Sequence, residues 1–148
     1  MEIRKFKKED ARKVSNLIRK CFREVNSKDY PKKVIDFMCS HFSPKKIIVN
    51  SAKRQIFVAV EKDKIIGTVS IHDNIILTVF VNPKIHGKGI GKKLMTKVES
   101  EAKKNGFKSV KLPSSITAID FYKKLGYKKV KVMYELNFGK TIEMRKIL

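Results

Sequence analysis

Cysteine is nearly missing from this chain, with Cys21 and Cys39 the whole complement. Two thiols without metal-type spacing argue against a disulfide-braced scaffold and against a cysteine metal site. Lying in segments of helical patterning, they are expected to be free and buried. Proline and glycine are sparse as well, at 4 and 7 residues. No Pro/Gly-rich linker, low-complexity tract or internal repeat breaks the sequence, so one domain spanning 1–148 is expected. Long apolar runs are missing too; nothing approaches the roughly 18 to 20 residues that cross a membrane. Met1–Phe6 lacks the continuous apolar core of a signal peptide, and a cytoplasmic location without membrane association is the expectation.

Acid is the remaining shortage. Lys and Arg number 35 against 14 Asp and Glu, a net charge of +21. Such a field attracts polyanions. The positive residues, however, are spread along the chain and are mostly lysine; arginine occurs only at Arg4, Arg12, Arg19, Arg23, Arg54 and Arg145. Arginine is the residue suited to bidentate phosphate and base-edge contacts, so its scarcity weighs against a nucleic-acid partner. A lysine-rich solvated surface accounts for the charge. The same field would favour a charged coenzyme and disfavour polycations such as spermidine.

What is present is patterned. Ile3–Phe6 alternates like a first strand. Ala11–Val25 places Val14, Leu17, Ile18, Cys21, Phe22 and Val25 at amphipathic-helix spacing. Pro31 suits the start of a second helix through about Phe42, and Ser43-Pro44 opens a short segment ending near Asn50. Gln55–Glu61 and Lys64–Ile71 read as strands joined by a hairpin turn. Ile75–Val81 is a nearly continuous β-branched run, as expected of a strand buried on both faces. Gly89–Asn105 is helical, Ser109–Leu112 a short strand and Ser115–Leu125 a helix. Tyr127–Leu136 and Thr141–Ile147 form a hairpin around Asn137–Lys140. The order βααβββαβαββ predicts a mixed α/β or α+β sheet.

The sharpest local feature is His86-Gly87-Lys88-Gly89-Ile90-Gly91-Lys92-Lys93, between a buried strand and an amphipathic helix. Glycines let backbone N–H groups turn toward a ligand at close range. The helix that follows adds the positive end of its dipole and its unpaired first-turn donors. Lys84, Lys88, Lys92 and Lys93 add charge. The combination predicts a phosphate or diphosphate site. A Walker loop is excluded, because His86 stands where its first glycine belongs and Lys93 where its hydroxyl belongs. A dinucleotide fingerprint is excluded by the Gly-x-Gly-x-Gly spacing and by a basic region about 20 residues on, where it needs an acid.

Val79-Phe80-Val81-Asn82-Pro83 followed by His86–Met95 resembles the central motif of the GNAT superfamily of N-acetyltransferases, Gln/Arg-x-x-Gly-x-Gly/Ala after an apolar strand. Ala118-Ile119-Asp120-Phe121-Tyr122-Lys123-Lys124-Leu125-Gly126-Tyr127 is similar to that family's Ala-x-x-Phe-Tyr-x-x-x-Gly-Phe/Tyr helix. Together with the strand order, the resemblance covers essentially the whole chain. It implies a central mixed, mostly antiparallel twisted sheet with helices on both faces. It further implies an acetyl-CoA-dependent N-acetyltransferase acting on a primary amine of a small molecule, peptide or protein, with no metal. Main-chain groups at Val79, Phe80 and Val81 would bond the pantetheine arm and the thioester. Those of Gly87, Lys88, Gly89, Ile90, Gly91 and Lys92 would hold the diphosphate, and Tyr122 would protonate the leaving thiolate.

Two positions depart from the family pattern. His86 replaces Gln/Arg, which implies weaker or altered diphosphate binding. Ser115 replaces a frequent Asn; it is able to cap its helix, and its contact to pantetheine is left open. No general base is assigned, since His72, Asp73, His41, Glu24 and Asp29 each read first as surface or turn residues. The acceptor is expected near Glu24–Tyr30. A homodimer is compatible with the sequence. The competing reading is a non-catalytic coenzyme A-binding or nucleic-acid-binding protein on the same fold.

Overall fold

In the computed structural model, which describes residues 1–148, the β-branched and aromatic segments pair into one seven-stranded sheet. The strands are β1 (Glu2–Lys5), β2 (Gln55–Glu61), β3 (Lys64–His72), β4 (Ile75–Val81), β5 (Ser109–Ser115), β6 (Lys128–Glu135) and β7 (Gly139–Ile147). Their spatial order is β1-β2-β3-β4-β5-β7-β6, antiparallel everywhere except between β4 and β5. Lys62 and Asp63 both take positive φ, 49° and 62°, the geometry that a two-residue hairpin loop matched to strand twist requires.

Helices cover both faces. On one lie α1 (Ala11–Glu24), α2 (Lys32–Ser40) and α3 (Pro44–Ser51); on the other, α4 (Ile90–Lys104) and α5 (Ile119–Lys124). Strand alternation divides the core accordingly. Phe57 and Ala59 of β2 pack with Leu94, Met95 and Val98 of α4, while Val58 packs with Val14, Ile18 and Phe22 of α1. Both cysteines are free and buried.

The structure refines several expectations. The segment after Ser43 is a full helix, α3, with Pro44 at its first position and the Ser43 side chain accepting the Lys46 N–H, so three helices precede β2. Ser109–Leu112 extends to Ser115 despite Pro113, whose missing N–H interrupts little beside the open edge of β5. The helix expected from Ser115 starts with a 3-10 turn over Ile116–Ala118, and the Ser115 side chain makes no capping bond. Most telling is β4, in which only Ile76 is fully buried and the other six residues are half-exposed. An apolar run was expected to be covered on both faces; instead it lines a cavity.

Two polar ties hold the layers. Arg4 forks onto both oxygens of Asp10 at 2.8 and 3.0 Å, and Asp10 also accepts the Lys7 N–H at 2.8 Å, fixing β1 to the start of α1. The guanidinium, by hydrogen bond first, holds the Asp10 carboxyl below its ordinary value. The second tie is Tyr30, between α1 and α2. Its hydroxyl donates to the Lys140 carbonyl at 2.6 Å and accepts the Ile116 N–H at 2.9 Å. Its ring packs on Gly139, where a Cβ would stand 3.3 Å from the ring. One side chain thus joins the helical layer to β7 and to the turn before α5.

Tyr30→Phe leaves that ring in place and strips both hydrogen bonds. It should lower stability by about 1–3 kcal/mol, with the Ile116 N–H orphaned. The fall in Tm is then about 3–10 °C for a chain of this size, read by calorimetry or circular dichroism. An unchanged Tm would show that water replaces the hydroxyl at no cost.

Candidate active site

The cavity begins where the sheet comes apart. β4 and β5 share one register pair, Ile75 with Lys111, reinforced by Lys111 N–H on the Asn74 carbonyl at 3.0 Å and the Asn74 side chain on the Ser109 carbonyl at 3.2 Å. Beyond that point the strands diverge. β4 also carries a bulge, because Thr68 and Ser70 of β3 face Phe80 and Leu77, which places one extra residue in β4. Thr78 takes φ 49° there, a strained conformation for a β-branched side chain. Ser70 Oγ donates to the Leu77 carbonyl at 3.1 Å and meets Thr78 Oγ1 at 2.5 Å, so the bulge is held by its own hydroxyls.

The opening is a cavity of about 820 Å³ that reaches from the α1–α2 side of the sheet to the α4–α5 side. It brings together nearly every residue that the sequence singled out. Val79, Phe80, Val81, His86, Gly87, Gly89, Ile90, Gly91, Lys92, Ser115 and Tyr122 all line it; Lys88 does not. Of the candidate bases none does. His72 binds the Lys53 carbonyl and lies 3.6 Å from Asp73, and His41 binds the Phe37 carbonyl.

At one end stands the loop before α4. Gly87 and Gly89 have φ of 83° and 81°, and Gly89 is the N-terminal boundary of the helix. The N–H groups of Gly87, Lys88 and Gly89 bond to no backbone carbonyl, and the first turn of α4 contributes further free donors. Gly91 serves a different purpose: a Cβ there would sit 2.9 Å from the Phe121 ring, so its smallness lets α4 close on α5. His86 Nε2 donates to the Val81 carbonyl at 2.8 Å, and Cys21 Sγ donates to the same carbonyl at 3.3 Å. The imidazole therefore latches the loop to the end of β4, leaving Nδ1 as its free ring nitrogen.

Tyr122 also lines the cavity. Its ring stacks edge-on against Phe121 and Tyr127, at 5.1 and 5.8 Å between centroids. Its hydroxyl makes no hydrogen bond to protein, and burial raises its pKa above the ordinary 10.0, so it keeps its proton at neutral pH. Thr117 and Thr141, also in the wall, have buried hydroxyls without a protein partner. Such orphans in a cavity wall are a mark of a ligand site.

Sequence reasoning missed Arg54, Lys124 and Glu135, which also line the cavity; it placed Phe22 on the apolar face of an amphipathic helix and Phe42 only at the end of the second helix. Phe22 sits on the apolar face of α1, where periodicity alone cannot tell core from cavity wall, and Phe42 lies in the turn between α2 and α3. Arg54 and Glu135 sit at element ends that no local motif marks.

A family model for an acetyltransferase (GNAT) domain matches residues 21–148. None of the curated proteins matches the chain. Among solved structures, a GCN5-related N-acetyltransferase from Rhodopseudomonas palustris superposes with a TM-score of 0.92 at 18% identity, covering 99% of this chain and 95% of that one. PaiA N-acetyltransferase from Thermoplasma acidophilum, in complex with coenzyme A, superposes with a TM-score of 0.83 at 24% identity, covering 99% and 98%. An aminoglycoside 6'-N-acetyltransferase complexed with coenzyme A gives 0.73 at 18%, covering 99% and 97%. At these identities the likeness establishes the fold.

The Cys21 thiol in the cavity wall yields a prediction about pH. Burial pushes it from 9.0 to about 12, so the folded chain keeps a proton that the unfolded chain releases. Its contribution to stability is intact below pH 9 and is lost as pH climbs from 9 toward about 12. By pH 10.5 the wild type should lose about 2 kcal/mol more than Cys21→Ala loses over the same interval from pH 7.5, measured by urea unfolding. Parallel losses in the two proteins would mean that the thiol titrates as an ordinary one.

Proposed function

The chain belongs to the GNAT acetyltransferases, and from that premise we propose that it moves an acetyl group from acetyl-CoA to an amine by direct attack, with Tyr122 as general acid. One observation carries the reading: a single cavity joins the free N–H groups at the start of α4, the open edge of β4 and the unpartnered hydroxyl of Tyr122.

Each part has a task that its chemistry fits. The N–H groups of Gly87 through Lys92, with the Lys92 charge and the α4 dipole, receive the diphosphate. Both lone pairs of the Val81 carbonyl are engaged by Cys21 and His86, so main-chain contacts to the pantetheine arm fall to Val79, Phe80 and the Val81 N–H. The same opened edge supplies N–H to the oxyanion that develops as the amine attacks. Tyr122 holds a proton for the departing sulfur. The orphaned Thr117 and Thr141 hydroxyls offer further partners along the wall.

The amine must arrive neutral. Arg54, Lys92 and Lys124 outweigh Glu135 around the cavity, and like charge lowers the pKa of an incoming ammonium. Water at the cavity mouth then takes the proton, and no dedicated side-chain base is required.

Acetyl-CoA should raise the Tm of the wild type, because a ligand that binds only the folded state stabilises it. Gly89→Val should abolish that rise. No protein atom lies within 4 Å of a Cβ built there, so the new side chain projects into the open side of the loop. The φ of 81° also strains it, by about 1–2 kcal/mol. An undiminished rise would place the diphosphate elsewhere. Tyr122→Phe should keep acetyl-CoA affinity and lower turnover about 10- to 1,000-fold, or about 1.4–4 kcal/mol, read by thiol release. The loss should shrink with a donor whose leaving thiol is more acidic. Wild-type rates in a folded Tyr122→Phe protein would remove this residue from the mechanism.

A further inference from the structure

Arg54 is a charge without a counterpart. It follows α3 and precedes β2, on the same strand parity as Ile56 and Val58, and so projects under the α1–α3 layer. There it lines a narrow recess of about 20 Å³ with Phe42, Ile47, Ser70 and Thr78, and it also lines the large cavity. Burial lowers its pKa below the ordinary arginine value. The other buried-side arginine, Arg4, is forked onto Asp10. The Arg54 backbone N–H donates to the Asn50 carbonyl at 3.1 Å, but its guanidinium makes neither an ion pair nor a hydrogen bond, and no carboxylate lines the recess. The hydroxyls around it are committed elsewhere: Thr68 donates to the Phe57 carbonyl, and Ser70 and Thr78 bond each other and Leu77. A partly desolvated guanidinium of this kind is costly unless an anion meets it.

The coenzyme phosphates are not that anion. Arg54 borders Gln55, which pairs with Ile71, whereas the Val81 end of β4 beside the glycine loop pairs with Gly67. Four residues of β3 separate the two levels, roughly 13 Å. The ligand of Arg54 therefore belongs to the acceptor side. Phe22, Phe42 and Phe80, with ring centroids 5.0–6.2 Å apart, line the large cavity together with Arg54, and Phe42 also lines the recess. The Asn26 side chain, 9% exposed, lines the same cavity without a protein partner.

We infer that the acceptor is an amine that also carries a carboxylate, with an apolar or aromatic body between the two, and that Arg54 binds that carboxylate; this rests on the acetyl-transfer reading above. A single planar fork matches one carboxylate bidentately. The phenylalanine wall accepts the body, and the amine reaches the thioester past the bulge at Thr78. A polyamine or aminoglycoside would need several acids, and the cavity has one, Glu135, against Arg54, Lys92 and Lys124.

The test uses matched acceptors with acetyl-CoA: phenylalanine, methionine and aminohexanoate, each against its own carboxamide, with thiol release as readout. Because the two amines of a pair differ in basicity, the quantity compared is the ratio of kcat/KM within a pair, wild type against variant. At least one carboxylate should be favoured in the wild type by about 10- to 100-fold over its carboxamide, chiefly through KM. Arg54→Gln should cut that ratio at least tenfold and Arg54→Lys should fall between. A wild-type ratio near one, a ratio unchanged in Arg54→Gln, or a preference for a phosphonate analogue would each overturn the assignment. Acetylation of no acceptor in either series, with acetyl-CoA still raising Tm, would overturn it and leave coenzyme binding standing. Loss of the Tm response as well would retire both readings.

Discussion

Everything of functional interest in this protein depends on one incomplete pairing. β4 and β5 meet at Ile75 and Lys111 and then separate, so the sheet is two antiparallel halves joined at a corner. A parallel pair held along its whole length would have buried β4 and closed the space. The divergence leaves main-chain groups of β4 facing a cavity, at a penalty of about 1–3 kcal/mol for each one that finds no partner. The bulge at Thr78 adds local strain. Such a gap persists only if the two halves are held by other means. The helices span it on both faces, and Tyr30 ties the α1–α2 connection to β7 and to the turn before α5. The two ties do opposite work: the corner at Ile75 sets the hinge of the opening, and Tyr30 limits its width.

Much of this was legible in the sequence, for definable reasons. Strand and helix periods gave β2 and β4 their observed limits, and α1 and α4 theirs to within a residue, because their apolar spacing is unbroken. The glycine loop was legible because close backbone approach leaves a trace in residue identity. What stayed hidden is relational. A half-buried β4 and a fully buried one share the same β-branched composition, so the cavity could not be inferred from Ile75–Val81. Phe22 obeys helical spacing whether it faces core or empty space. The role of His86 was also invisible, since a latch onto the Val81 carbonyl depends on how the loop folds back. Arg54 and Glu135 lie far apart in the chain and acquire meaning only by sharing a wall.

The charge of +21 has a local counterpart in that wall. Lysines on the outside are solvated and contribute a diffuse field, screened within about 8–10 Å at physiological salt. The few cations at the cavity act at shorter range and lower dielectric, where they shape chemistry. In the proposed reaction they would favour anionic groups on both ligands and ease the loss of a proton from the attacking amine. A positively lined site would there stand in for a general base by adjusting the acceptor instead of abstracting from it, which agrees with the placement of His41, His72 and Asp73 away from the cavity.

The acid presents the converse problem. Burial pushes the Tyr122 hydroxyl above its ordinary value, making it a weaker acid than a free thiol in water. Complete proton transfer to a solvated thiolate would then run uphill. In the proposed reaction, however, the leaving sulfur would depart beside the Tyr122 ring, which packs on Phe121 and Tyr127, and desolvation there would raise the pKa of a thiol as burial does for Cys21 in another part of the wall. Desolvation would therefore move donor and acceptor in the same direction. A polar pocket would strengthen the tyrosine as an acid but would equally stabilise the thiolate, removing the need for its proton. In the proposed reaction the apolar setting of Tyr122 would be what makes a weak acid sufficient.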